Sequence, residues 1–90
     1  MSAVTIPTPL RPHTDGQARV EAQGSTVGQV LKDLGARYPE FHKRVFDGSG
    51  QLQQYVNVYV NNEDIRYLDD LNTPVASADV VDIIPAVAGG

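Results

Sequence analysis

Tyr55-Val56-Asn57-Val58-Tyr59-Val60 decides the fold, because β-branched and aromatic residues alternate through it with a strict period of two. Val56, Val58 and Val60 share one side, so the segment is predicted as a strand that turns its valines toward a core. Asn61-Asn62 follows at once, and asparagine accepts the left-handed conformation that a tight turn demands. A hairpin is therefore expected, with residues 63–67 returning as a short strand. A loop containing Asp69, Asp70 and Pro74 leads into Asp79-Val80-Val81-Asp82-Ile83-Ile84, the last strand, which Pro85 ends. On that strand the face carrying Asp82 is assigned to the outside. Val81 and Ile83 then point inward, and Ile84 is exposed close to the chain end.

Upstream, Gly24-Ser25-Thr26-Val27-Gly28-Gln29 carries a helix start. Thr26 as N-cap and Gln29 three positions later satisfy donors that a helix N-terminus otherwise leaves orphaned. Val27, Val30, Leu31, Leu34 and Tyr38 then recur on one helical face. Pro39 sets the end of the helix near Arg37 or Tyr38. Residues 40–46 read as a short amphipathic turn with Phe41, Val45 and Phe46 inward, and Asp47-Gly48-Ser49-Gly50 as a loop. At the start, residues 3–10 alternate around Val4 and Ile6 as a strand, which Pro7 and Pro9 restrict to an edge position or to one whose donors point away from a partner. Residues 11–16 form a turn, and residues 17–22 place Ala18, Val20 and Ala22 on one face, completing a β-hairpin. The order is two strands, one main helix, then two or three strands, which is an α+β arrangement.

Composition narrows the function. Ninety residues make one small domain, too small for a deep enzyme pocket. The chain has no cysteine, which excludes disulfides, thiolate metal sites and cysteine nucleophiles. Its net charge of -4 argues against nucleic acid, which needs a basic patch. The N-terminus shows no secretory signal and no run reaches the length of a membrane span, so a cytoplasmic location is expected. His13 and His42 have no second ligand at metal spacing. The serines at 2, 25, 49 and 77 have no histidine base nearby. No metal site and no catalytic residue is expected, and the chain is read as not an enzyme. Asp69-Asp70 is read as a solvated loop, with steering of a basic partner as the alternative.

The chain ends Pro85-Ala86-Val87-Ala88-Gly89-Gly90. Two glycines without side chains make the narrowest backbone that a partner's active site can admit, and the carboxylate becomes electrophilic if a partner converts it to a mixed anhydride with a nucleotide. The expected division is a folded domain over residues 1–84 and a flexible tail over residues 85–90.

On these residues the chain resembles a known family. Ile6-Pro7-Thr8, Arg11-Pro12-His13-Thr14, Val56-Asn57-Val58-Tyr59-Val60-Asn61 with Glu63-Asp64, and above all the terminal Pro-x-Val-Ala-Gly-Gly are similar to the MoaD/ThiS-type ubiquitin-like sulfur carrier proteins. Within that family they are most similar to the CysO-type cysteine-biosynthesis carriers. The resemblance implies a β-grasp fold, a mixed sheet packed on one main helix. It implies that Gly90 is adenylated by a ubiquitin-activating-like enzyme and converted to a thiocarboxylate. Gly89, Ala88 and Val87 would be recognised in the tail, and Ile84 and Pro85 are the candidate partner contacts. The sulfide would pass to a pyridoxal-phosphate-dependent cysteine synthase, with a metalloprotease releasing the cysteine from the tail. No cofactor is expected on this chain; ATP and magnesium belong to the activating partner. The alternatives are the small subunit of molybdopterin synthase, acting with its large subunit, and a protein modifier, for which Lys32 and Lys43 are the branch points.

Overall fold

The computed structural model describes residues 1–85. Its helix starts where the sequence places it. Thr26 is the N-cap of helix α1 (Val27–Arg37), and its hydroxyl accepts the Gln29 backbone N–H at 3.2 Å. Gln29 Oε1 in return accepts the Ser25 backbone N–H at 2.9 Å. Such a cap contributes about 1 kcal/mol. Val27, Val30, Leu31 and Leu34 are all fully buried, so the predicted stripe is the face that meets the sheet.

Pro39 ends one helix by opening another. It occupies the first turn of α2 (Pro39–Val45), where its missing N–H costs nothing. The amphipathic turn expected at residues 40–46 is thus a helix, with Phe41 and Val45 buried inside it and Phe46 buried just beyond. Gly35 permits the two helices to approach: a Cβ there would strike the ring of His42.

The sheet has five strands in the order β2-β1-β5-β3-β4: β1 (Ser2–Thr5), β2 (Arg19–Ala22), β3 (Val56–Val60), β4 (Glu63–Asp64) and β5 (Val80–Pro85). β1 pairs antiparallel with β2 and parallel with β5, and β5 pairs antiparallel with β3. The sheet is therefore mixed, and with the helices on its inner face the class is α+β, as expected.

Of the two placements expected for the first strand, the edge position is incorrect, and the strand is shorter than residues 3–10. β1 stops at Thr5, ahead of both prolines, which instead open a 3-10 helix over Thr8–Thr14 with Pro7 as its N-cap. The ladder never meets a proline, so β1 sits inside the sheet. Its link to β2 carries Leu10 into the core and turns through Asp15 and Gly16, both at positive φ. Ala18 precedes β2 and is exposed, unlike Val20 and Ala22.

β3 alternates as predicted, with Val56, Val58 and Val60 buried. Asn61 and Asn62 have φ of 49° and 73°, the pair of left-handed conformations of a two-residue hairpin turn. The returning strand is shorter than the expected residues 63–67. The Asp64 carboxylate accepts the Arg66 backbone N–H at 2.9 Å and caps a 3-10 turn over Ile65–Tyr67, so pairing ends after two residues. β5 runs through Pro85, paired with Val56, and this proline belongs to the sheet rather than to the tail that begins at residue 85 in the expected division. It is tolerated because β1 has already ended at Thr5, opposite Asp82, so no donor is needed there. No helix among the described residues is long and apolar enough to cross a membrane.

Asp64 is nearly buried and ion-paired with Arg66, Nη2 to Oδ2 at 2.7 Å. Hydrogen bonds from the Arg66 side chain, then from its backbone N–H, hold the Asp64 carboxyl below its ordinary value. A depressed folded-state value means that the ionised carboxylate stabilises the fold above the unfolded value of about 3.9, and that this contribution fades as pH falls through the folded value. Asp64→Asn is therefore expected to be less stable than the parent at neutral pH, with the gap closing on acidification. Urea midpoints measured across the acid range check this; a gap that stays constant or widens overturns it.

Candidate functional site

The outer face of the sheet is set by register. Arg19 pairs with Thr5, Thr5 with Asp82, Asp82 with Tyr59 and Tyr59 with Asp64, so one row of side chains crosses all five strands on the side away from the helices. Thr5 Oγ1 donates to Asp82 Oδ1 within this row. Arg66 closes its far end through bidentate contacts to Asp64 at 2.7–3.2 Å. The next row, toward the end of β5, pairs Asn57 with Ile84. Ile84 is 49% exposed, whereas its neighbour Ile83 is 2% exposed, which confirms the predicted alternation.

The start of β5 is held as firmly. Asn61 reaches from the hairpin turn to donate to Asp79 Oδ1 at 2.9 Å and to accept the Val80 N–H at 3.0 Å. Asp79 also accepts the Ala76 N–H at 2.8 Å. That bond first, then the one from Asn61, lowers the Asp79 carboxyl from its ordinary value. The strand that leads to the tail is thus fixed at its beginning by side chains, flanked by β1 over residues 80–82 and by β3 over residues 81–85.

The structure brings Ile84 and Pro85 together at the end of β5, beside Asn57 and Val56 of β3. The other sequence-predicted site residues, Gly90, Gly89, Ala88 and Val87, lie outside the described residues. Asp69 and Asp70 lie on the exposed turn ahead of β5, with Asp70 at φ 53°. His42 stacks on Phe46 with ring centroids 4.7 Å apart. The hydroxyls of Ser2, Ser25 and Ser49 bond to Ala76, Gln29 and Asp47. Among the described residues no cluster of three histidine or acidic side chains gathers to hold a metal. Chemically, this face offers apolar contact at Ile84, an aromatic ring at Tyr59 and a carboxylate at Asp82 that accepts from the Thr5 hydroxyl.

Sequence reading missed Asn57 and Tyr59 as members of this surface. Their outward direction was visible in the alternation with Val56, Val58 and Val60, but their pairing with Ile84 and Asp82 depends on register, which spacing does not reveal.

Comparison with known proteins adds the lineage. The ThiS family matches residues 4–90. The sulfur carrier protein CysO of Mycobacterium tuberculosis is 52% identical over 97% of this chain and 96% of its own length; its crystal structure aligns with a TM-score of 0.89 at 48% identity, covering 97% of this chain and 100% of that one. A chain from the crystal structure of the Amycolatopsis orientalis BexX/CysO complex aligns with a TM-score of 0.92 at 41% identity, covering 100% of both. The small archaeal modifier protein 1 of Haloferax volcanii is 34% identical over 80% of this chain and 79% of its length. The fold is accordingly the ubiquitin-like β-grasp.

The face assignment separates surface from core. Ile84→Asp is expected to cost about 1 kcal/mol of stability or less, since the side chain is already half in water. Val58→Asp buries an unpaired charge at a position 1% exposed and is expected to cost about 4 kcal/mol or more. Denaturant unfolding of the two variants checks this, and equal losses would overturn it.

Proposed function

Because the chain belongs to the ThiS family, we propose that it is a sulfur carrier protein that donates sulfide for cysteine biosynthesis and is not itself an enzyme. The observation that carries this reading is the 52% identity, over nearly the whole of both chains, to a protein named as a sulfur carrier. The terminal Gly89-Gly90 supports it, since the reacting group is the chain's own carboxylate. In the proposed cycle a partner enzyme uses ATP and magnesium to join the Gly90 carboxylate to AMP, with pyrophosphate leaving. A persulfide of the sulfur donor then attacks the carbonyl carbon and AMP leaves, giving an acyl disulfide; a second thiol attacks the donor sulfur, forms a disulfide with it and so releases the thiocarboxylate. A carboxylate is a poor electrophile, and its acyl adenylate is a good one. The cofactors of the pathway, pyridoxal phosphate on a cysteine synthase and the metal of a metalloprotease, sit on partners in a cytoplasmic setting.

The described residues have a defined part in this cycle. β5 delivers the tail from the middle of a rigid sheet, and Ile84 with Pro85 supplies the contact that docks a partner beside it. Val87, Ala88 and Gly89 would thread into the partner's active site. On this reading Ile84→Asp weakens the complex with the activating enzyme by about 2 kcal/mol, the scale of an interface hot spot. A second reading is favoured by the relationship to a modifier protein: transfer of the Gly90 acyl group to lysine amines of other proteins.

Incubation with the cognate adenylating enzyme, ATP-magnesium and a sulfur source is expected to yield a protein heavier by one oxygen-to-sulfur exchange at its terminus. Intact-mass spectrometry reads this directly. An unmodified carboxylate, obtained while the same enzyme activates an established carrier, overturns the proposal.

Removing Gly90, or replacing Gly89 with tryptophan, is expected to abolish adenylation while leaving the unfolding curve unchanged, since these residues come after the last described strand. Pyrophosphate release measures the first effect and chemical denaturation the second. Normal activation of the shortened chain would exclude the diglycine from the reaction.

A further inference from the structure

We propose that the end of the sheet from which the tail departs is built to resist acylation, so that an activated carboxyl at Gly90 meets nucleophiles from other molecules only. This rests on the carrier reading above. An internal amine that captured the activated acyl group would form an amide with the Gly90 carbonyl. The activating group would leave as AMP or a thiol, one proton would be lost, and that molecule could carry nothing further.

The sequence contains no cysteine, and its primary amines are those of Met1, Lys32 and Lys43. The first is removed by topology. β1 and β5 run parallel with Ala3 beside Val80, so Met1 and Pro85 lie at opposite ends of the sheet. Seven residue steps of strand separate them along the sheet, about 23 Å at the usual rise. Five residues follow Pro85, and fully extended they span at most about 18 Å. Head-to-tail closure is out of reach while the register holds. An antiparallel β1–β5 pair would have placed the amine next to the tail.

Lys32 is exposed on α1, whose opposite stripe of Val27, Val30, Leu31 and Leu34 is buried against the sheet. The helix itself, about 10 Å thick, stands between this amine and the strand that carries the tail. Lys43 lies on α2 and pairs with Glu40, one turn earlier on the same helix, at 3.5 Å. Around Pro85 the neighbours are of another chemistry. Val56 is its partner, Ile84 and Asn57 form the adjacent pair, and the Tyr55 hydroxyl donates to the Arg44 carbonyl at 3.4 Å. An amide does not attack an acyl group at neutral pH, and guanidinium stays protonated.

The test uses the full chain with Gly90 prepared as a thioester of a small thiol, which needs no partner enzyme. In mildly alkaline buffer the parent is expected to lose the thiol by hydrolysis alone. Asn57→Lys, which sets an amine opposite Ile84, is expected to form an internal amide at least about tenfold faster than any amide in the parent, because the tether raises the effective concentration to the millimolar range. The product is lighter than the hydrolysed acid by one water, and peptide mapping locates the link. Gln54→Lys serves as a second variant, with circular dichroism confirming both folds. Internal amide in the parent at a comparable rate, or none in either folded variant, overturns the proposal. Failure of enzymatic adenylation would instead count against the carrier reading and leave this result standing.

Discussion

The parallel pairing of Ala3, Val4 and Thr5 with Val80, Val81 and Asp82 is the constraint on which the rest of the molecule depends. It joins the first strand to the last and sets β5 in the middle of the sheet, with β1–β2 on one flank and β3–β4 on the other. Parallel strands need a long crossover, and here the crossover contains both helices and the β3–β4 hairpin. Val4 and Val81, directly paired, are completely buried. The helices cover the inner face that this pairing creates, while the outer row from Arg19 to Asp64 exists only because the same pairing aligns five strands.

Much of this was legible in the sequence. Thr26 and Gln29 announced the helix, and the valines at 56, 58 and 60 announced β3, because caps and strict alternation are local signals with few competing explanations. The asparagine turn was equally clear. The first strand was drawn too long because Pro7 and Pro9 were read as lying within it, when they take the chain out of the ladder into a 3-10 helix. The return strand after Asn62 was drawn too long because Asp64 has local partners in Arg66, a short-range competition that hydropathy does not register. The helix at Pro39 was read as a turn because a proline that stops one helix is also suited to start the next.

The candidate site divides in the same way. That Ile84 faces outward followed from the period of β5 alone, with Asp82 as the marker of the solvent side. That Asn57 and Tyr59 stand beside Ile84 and Asp82 required a register, and register comes from the whole sheet. The diglycine is visible only as sequence. The structure contributes the platform from which it leaves, clamped at Asn61 and Asp79, and the family relationship gives that platform its meaning.

The central place of β5 also bears on synthesis and turnover. This strand emerges from the ribosome after every other element, so a nascent chain holds two separate hairpins and uncovered helices until residues 80–85 arrive. Folding is then a report that translation has reached the tail. The same dependence acts on damage: a carboxypeptidase that trims as far as Pro85 leaves the sheet whole, whereas one that advances through Ile83 takes away the strand joining its two halves. Loss of β5 separates β1–β2 from β3–β4, whereas loss of residues 86–90 alone removes the terminal carboxylate and leaves every strand of the sheet in place.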